Sequence, residues 1–179
     1  MCRLPPTPIT SRWMCRPENT RKPGRGAKLV EVDTKYFGRI TVEEADVFYF
    51  QNGLYGFAEE KQFLLLPFAG GEGNLLCFQS VKTAGLAFVA MNPFSLKGDY
   101  APVLQKEELE ALGVPRSEEL CYYVLCVVRN PISESTVNLK CPVAINEDTH
   151  QAMQVILESG DYEMRHLLSQ FGTEEEQPC

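Results

Sequence analysis

Between Leu29 and Leu157 the apolar residues come in short runs, and the longest of them, Cys121 to Val128, is eight residues. Runs this short suit strands, and Gly, Pro or Asn separates most of them. Leu29-Val30-Glu31-Val32-Asp33-Thr34 alternates, and Tyr36 to Val42 alternates again after a bend. Val47 to Phe50 leads into the turn signal Gln51-Asn52-Gly53. Phe63–Leu66, Leu75–Gln79, Leu86–Met91, Cys121–Val128, Val137–Leu139, Val143–Ile145 and Ala152–Leu157 continue the series. Many short strands joined by turns predict a mainly β chain, a small antiparallel β-barrel-like domain with one or two short helices. Closing the barrel also removes strand edges that would otherwise pair with other chains.

One segment breaks the pattern. Gln105 to Leu112 is built of good helix formers, with its acids early, where the helix dipole favours them. Gly113 suits the left-handed position that ends a helix, and Pro115 prevents continuation. Only Leu109 and Leu112 form an apolar stripe, so this helix is expected to cover one barrel edge or mouth. Ser117–Leu120 is expected to add a single turn.

Charge divides the 179 residues into three. Residues 1–27 carry six Arg/Lys against one acid, with five of the twelve prolines, and read as a disordered basic arm. Residues 28–170 carry eleven basic and twenty acidic side chains and read as the folded domain. Residues 171–179 add Glu174, Glu175 and Glu176 and read as a disordered acidic tail. So acidic a body repels phosphate backbones, which argues against direct nucleic-acid binding; the acidity suits either a basic protein partner or solubility alone.

No stretch is long and apolar enough to span a bilayer, and the start lacks the apolar core of a signal peptide. Seven cysteines, at 2, 15, 77, 121, 126, 141 and 179, are an odd number with no C-x-x-C pair. Cys121 and Cys126 differ by five, which places them on opposite faces of a strand. Thiols in apolar runs act as small hydrophobes, and together they indicate a reducing compartment, so a cytoplasmic protein is expected.

A catalytic set is hard to find. The two histidines, His150 and His166, fall in a polar hairpin-like loop and near the end of the fold. H-E-x-x-H, G-x-S-x-G and P-loop patterns do not occur. Gly70-Gly71-Glu72-Gly73 lacks the Lys and the helix of a phosphate loop and reads as a flexible connection. No cofactor and no metal are expected. What remains is binding. Phe48, Tyr49, Phe50, Tyr55, Phe57, Phe68, Phe94 and Tyr100 sit beside turns, though each singly is a commoner core filler than an interface anchor.

Several ordered segments resemble the flagellar assembly factor FliW family. They are Thr34-Lys35-Tyr36-Phe37-Gly38, Gly53-Leu54-Tyr55-Gly56-Phe57, Phe63–Pro67, Leu86–Phe94, Thr136–Pro142, Gln154–Leu157 and Tyr162 with Arg165-His166. The likeness spans about residues 29–168, and the segment before Leu29 has no counterpart in it. It implies a small β-barrel-like fold without enzymatic activity. It also implies a cytoplasmic protein that binds flagellin and the RNA-binding translational repressor CsrA. Sequestering CsrA would lift its block on flagellin mRNA, and free flagellin would compete.

Two readings from different classes stand at this point: that regulator, and a small-ligand-binding or catalytic barrel with Asn92 or Asn138 supplying polar ends to a cavity. A side-chain-filled interior favours the first. Its contacts are expected among acids and aromatics between elements: Glu59, Glu60, Phe94, Asp99, Glu107, Glu108 and Glu110. Asn92 and Asn138 are then structural, satisfying backbone groups at the ends of apolar runs.

Overall fold

The computed structural model describes residues 28–69 and 74–171. The arm 1–27, the glycine-rich Gly70–Gly73 and nearly all of the acidic tail lie outside the described residues.

The strands are β1 (Leu29–Asp33), β2 (Arg39–Glu43), β3 (Phe48–Phe50), β4 (Gln62–Pro67), β5 (Leu75–Ser80), β6 (Ala87–Met91), β7 (Cys121–Val127), β8 (Thr136–Val137), β9 (Val143–Asn146), β10 (Gln151–Gln154) and β11 (His166–Leu167). Two helices, α1 (Pro93–Leu96) and α2 (Lys106–Leu112), lie between β6 and β7. Strands β3, β4, β5, β6, β7, β9 and β10 close on themselves through the β7–β9 and β10–β3 ladders, which makes a seven-stranded barrel. Every ladder in it is antiparallel except β10–β3, where Gln151 and Ala152 run parallel to Tyr49 and Phe50. An odd number of strands cannot alternate direction around a closed ring, so one parallel seam is required. The expectation of a wholly antiparallel barrel needs only that amendment. β8 and β11 extend the sheet from β7, and β1–β2 form a separate hairpin.

Strand alternation sorts the apolar residues into three cores. Phe50, Phe63, Leu76, Phe78, Ala90, Tyr123, Val143, Ile145 and Ala152 point inward, so all seven strands contribute to the barrel interior. Their neighbours point outward. Leu64, Leu66 and Cys77 pack beneath the β1–β2 hairpin with Val32 and Val42. Tyr122, Val124 and Ala144 pack with Leu112, Leu120, Tyr100 and Tyr162, beneath the α1–α2 layer and the C-terminal segment. Cys121 belongs to the interior and Cys126 to the outer core, the opposite faces expected from their spacing.

Helix α2 lies on the outer wall of the barrel. Gly113 ends it in the left-handed conformation (φ 73°), with its N–H on the last carbonyls. Asn146 Nδ2 donates to the Leu112 carbonyl at 2.8 Å and ties this end to β9. The outer layer is fastened by hydroxyls: Tyr100 to the Leu139 carbonyl (2.9 Å) and Tyr122 to the Ser117 carbonyl (2.8 Å). The single turn expected after Arg116 is present as Ser117–Glu119.

Some boundaries differ from the sequence reading. The alternation from Tyr36 becomes a strand only at Arg39, because Gly38 is left-handed (φ 69°) and Thr34 closes a turn onto its carbonyl. The Ala152–Leu157 run leaves the ladder after Gln154, although Val155 and Leu157 stay buried and bond to Pro142 and Lys140.

Candidate functional site

The barrel interior is filled. Phe63, Leu76, Phe78, Ala90 and Val143 are fully buried there. The rings of Phe50 and Phe63 meet edge-to-face at 5.1 Å, and Phe78 meets Tyr123 at 6.0 Å. Barrels this narrow are closed by their own side chains. The two asparagines of the cavity reading lie elsewhere. Asn92 caps α1, its Oδ1 accepting from Phe94 N at 2.9 Å, and Asn138 Oδ1 accepts from Cys141 N at 2.9 Å. Both satisfy backbone donors.

The histidines are separate and structural. His166 Nε2 accepts from Glu163 N at 2.9 Å, and its ring rests on Phe171. His150, expected in a solvated loop, is half-buried in the left-handed region (φ 57°) with its ring on Phe48. Among the described residues no three His, Cys, Asp or Glu side chains group as metal ligands. Burial raises the Cys77 thiol to about 11 and the Cys126 thiol to about 12, which leaves both protonated near neutrality.

The outer surface holds the expected contact residues, and the structure gives them different tasks. Glu60 is a clasp: its carboxylate accepts from Ser80 Oγ (2.5 Å) and Thr83 Oγ1 (2.6 Å), tying the β3–β4 loop to the β5–β6 turn. Those hydroxyls hold its pKa below the ordinary value of 4.5. Glu108 accepts from Gln105 N at 2.8 Å and caps α2. Asp99 pairs with Lys97 at 2.7 Å, and Glu110 faces Lys106 at 3.5 Å along the helix. Phe94 is half-buried, its ring against Tyr100 at 5.7 Å and Tyr122 at 6.4 Å, so much of it belongs to the outer core. Glu59 and Glu107 are exposed, with no ion pair among the described residues.

Two aromatics were legible as turn neighbours but not as surface. Tyr55 is 56% exposed and Phe57 39%, in the loop between β3 and β4. Leu54 of the same loop is buried in the interior, and the Phe57 ring meets Phe88 at 5.0 Å. The Tyr55 N–H donates to Gln154 Oε1 at 3.0 Å.

The clasp has a consequence for acid stability. A carboxylate whose folded pKa is depressed stabilises the fold above its ordinary value, and that contribution disappears as pH falls through the lowered value. Between about pH 6 and about pH 3, Glu60→Gln is therefore expected to lose less stability than the parent chain, in chemical denaturation at each pH. Equal losses would mean that the clasp is energetically silent.

Known proteins can now be set beside this architecture. The profile of the FliW protein family matches residues 31–168. That is most of the described barrel and its outer layers. The chain belongs to the FliW family. The flagellar assembly factor FliW of Geobacillus kaustophilus is 37% identical over 139 residues, 78% of this chain and 95% of that one. Its counterpart in Bacillus velezensis is 34% identical over 137 residues, 76% of this chain and 95% of that one. A crystal structure of the flagellar assembly factor FliW superposes with a TM-score of 0.72 at 37% identity, covering 78% of this chain and 96% of that one. These FliW relatives are named as assembly factors, not as enzymes. Among the described residues no helix is long and apolar enough to cross a membrane.

Proposed function

We propose that this FliW-family chain is a non-enzymatic regulator of flagellum assembly that works by holding other proteins on its outer surface. Its partners on this reading are a CsrA-type translational repressor, whose capture relieves repression of flagellin mRNA, and flagellin, which it binds in a chaperone-like way. It acts in the cytoplasm, through the domain 28–170, against which Phe171 also packs. Nucleic acid is not contacted directly. The observation that carries this is the filled barrel interior, which leaves the surface as the place where chemistry can be read. That surface is acidic: twenty acidic against eleven basic side chains over residues 28–170. A repressor that binds RNA must present a basic face, and an acidic body approaches it along favourable field lines.

Association kinetics with purified repressor test this reading. Raising salt from about 50 to about 500 mM shortens the screening length from roughly 14 to roughly 4 Å and should slow association by about tenfold or more. Glu107→Lys, on an exposed side chain, should slow it at low salt and matter little at high salt. A rate indifferent to both changes would remove the electrostatic mechanism.

A further inference from the structure

The loop between β3 and β4 is an elaborate construction for a surface loop. Gly53 is left-handed, and the Gly53 N–H, Phe57 N–H and Glu60 N–H donate to the carbonyls of Phe50, Leu54 and Phe57. Lys61 Nζ donates to the Gln51 carbonyl at 2.7 Å. Gln154 of β10 holds the Tyr55 N–H and itself donates to the Cys141 carbonyl. Leu54 is anchored inside the barrel, and the Glu60 clasp fixes the far end. All of this order serves to hold Tyr55 outward, and an ordered exposed tyrosine loses little entropy when a partner covers it.

The surroundings of Tyr55 select the partner's charge. Helix α2 packs on β10, the strand whose Gln154 holds the loop. The Glu108 carboxylate is fixed by its bond from Gln105 N, and the Tyr55 phenol is pushed above its ordinary pKa by burial first, then by Cys141 and by the charge of Glu108. Glu107 stands beside it in the same helical turn and Glu59 in the same loop, both exposed. Two cations lie near these acids: Lys106, paired with Glu110, and Lys61, which donates to the neutral Gln51 carbonyl and keeps its charge, so Glu59, Glu107 and Glu108 still leave the surface net acidic.

We propose that the Gly53–Glu60 loop and the first turn of α2 form a docking surface for a cationic segment of a partner protein, with Tyr55 as its anchor. An Arg or Lys side chain lies over the Tyr55 ring while neighbouring cations face Glu107 and Glu108, and Phe57 supports the apolar part of the segment. This deepens the reading above by naming the surface and the chemistry it takes.

The test uses two synthetic peptides, one alternating Arg with Leu and one with Gln in place of Arg, titrated into the full chain and followed by amide resonances. The Arg peptide should shift amides of residues 53–60 and 105–110, and the Gln peptide should not. Tyr55→Ala should weaken the Arg peptide by about tenfold or more. Tyr55→Phe, which keeps the ring, should stay within about twofold. Glu107→Gln with Glu59→Gln, on exposed side chains that threaten no fold, should also weaken it, and Ile132→Ser, at a residue 65% exposed on another part of the surface, should not. Shifts centred elsewhere, equal binding of both peptides, or an Ile132 effect in place of a Tyr55 effect would overturn the proposal. The CsrA-type repressor forms the second arm. If the Arg peptide docks here and the repressor does not bind, the surface stands and the partner assignment falls. If the repressor binds the parent chain and all the variants alike, the partner assignment stands and the Tyr55 surface falls as its docking site.

Discussion

Phe78→Ala is expected to destabilise the fold by about 3–5 kcal/mol in urea or guanidinium unfolding, the range for removing a buried phenylalanine. Phe78 is fully buried on β5, opposite Leu65 on one side and Phe88 on the other. Its ring touches those of Phe50 (6.2 Å) and Tyr123 (6.0 Å), which reach it from two further strands. In an open sandwich the layers can close onto a void. In a closed barrel the diameter is fixed by strand number and stagger, so a cavity at the centre stays open. Phe78→Leu should cost less, because most of the volume is kept. A loss under about 1 kcal/mol for Phe78→Ala would mean that the interior is not the close-packed core described above.

Gly53→Ala is expected to cost about 3–4 kcal/mol, adding backbone strain to a steric clash. Gly53 has φ 67°, and a Cβ there would stand 2.4 Å from the Phe57 carbonyl oxygen and 2.9 Å from Ala58 Cα. Neither is a side-chain end that can swing aside. The Phe57 oxygen already accepts from Glu60 N, and the Phe57 N–H is bonded to Leu54, so relief means opening the loop. Gly56 is the control. It is also left-handed (φ 83°) but has nothing within 4 Å of its missing Cβ. Gly56→Ala should therefore cost only about 1–2 kcal/mol. Equal effects at the two glycines would show that conformational strain alone, without the close approach, sets the loop's stability.

Much of the barrel could be read from residue order because strand burial has a period of two. Phe63-Leu64-Leu65-Leu66 looks uniformly apolar, and both faces are indeed used: Phe63 inside, Leu64 and Leu66 under the hairpin. The helix stop at Gly113 was legible because only the left-handed residue there needs no Cβ. Features made by distant pairing were not. Gln79, the polar end of the Leu75–Gln79 run, is fully buried. Its Oε1 accepts from Lys35 N at 2.9 Å, and the two hydrogens of its Nε2 are shared among the carbonyls of Ser80, Ala84 and Leu86. It pins the β1–β2 hairpin to the β5–β6 turn, and no local pattern announces that. Helix α1 spans four residues, too few for periodicity, although Asn92 with Pro93 behind it is a good start signal. β11 is two residues long and exists only because β8 is there to pair with.

The acidity of the surface was legible and its detail was not. Net acidity needs only composition, but which acids are free depends on hydrogen bonds to residues far along the chain. Glu60 and Glu59 are neighbours, yet one is fastened to Ser80 and Thr83 and the other is exposed. Tyr55 and Phe50 both sit near the same turn, yet Phe50 lies in the interior and Tyr55 faces water because Gln154 holds its backbone outside the barrel.

The most direct measurement of the proposed regulatory role is the fraction of flagellin mRNA held by the CsrA-type repressor, followed by anisotropy of labelled RNA as this chain and then flagellin are added. The account predicts that the chain releases the RNA as it reaches the repressor's concentration, and that flagellin restores the RNA complex. An RNA-bound fraction unchanged by excess chain would contradict it.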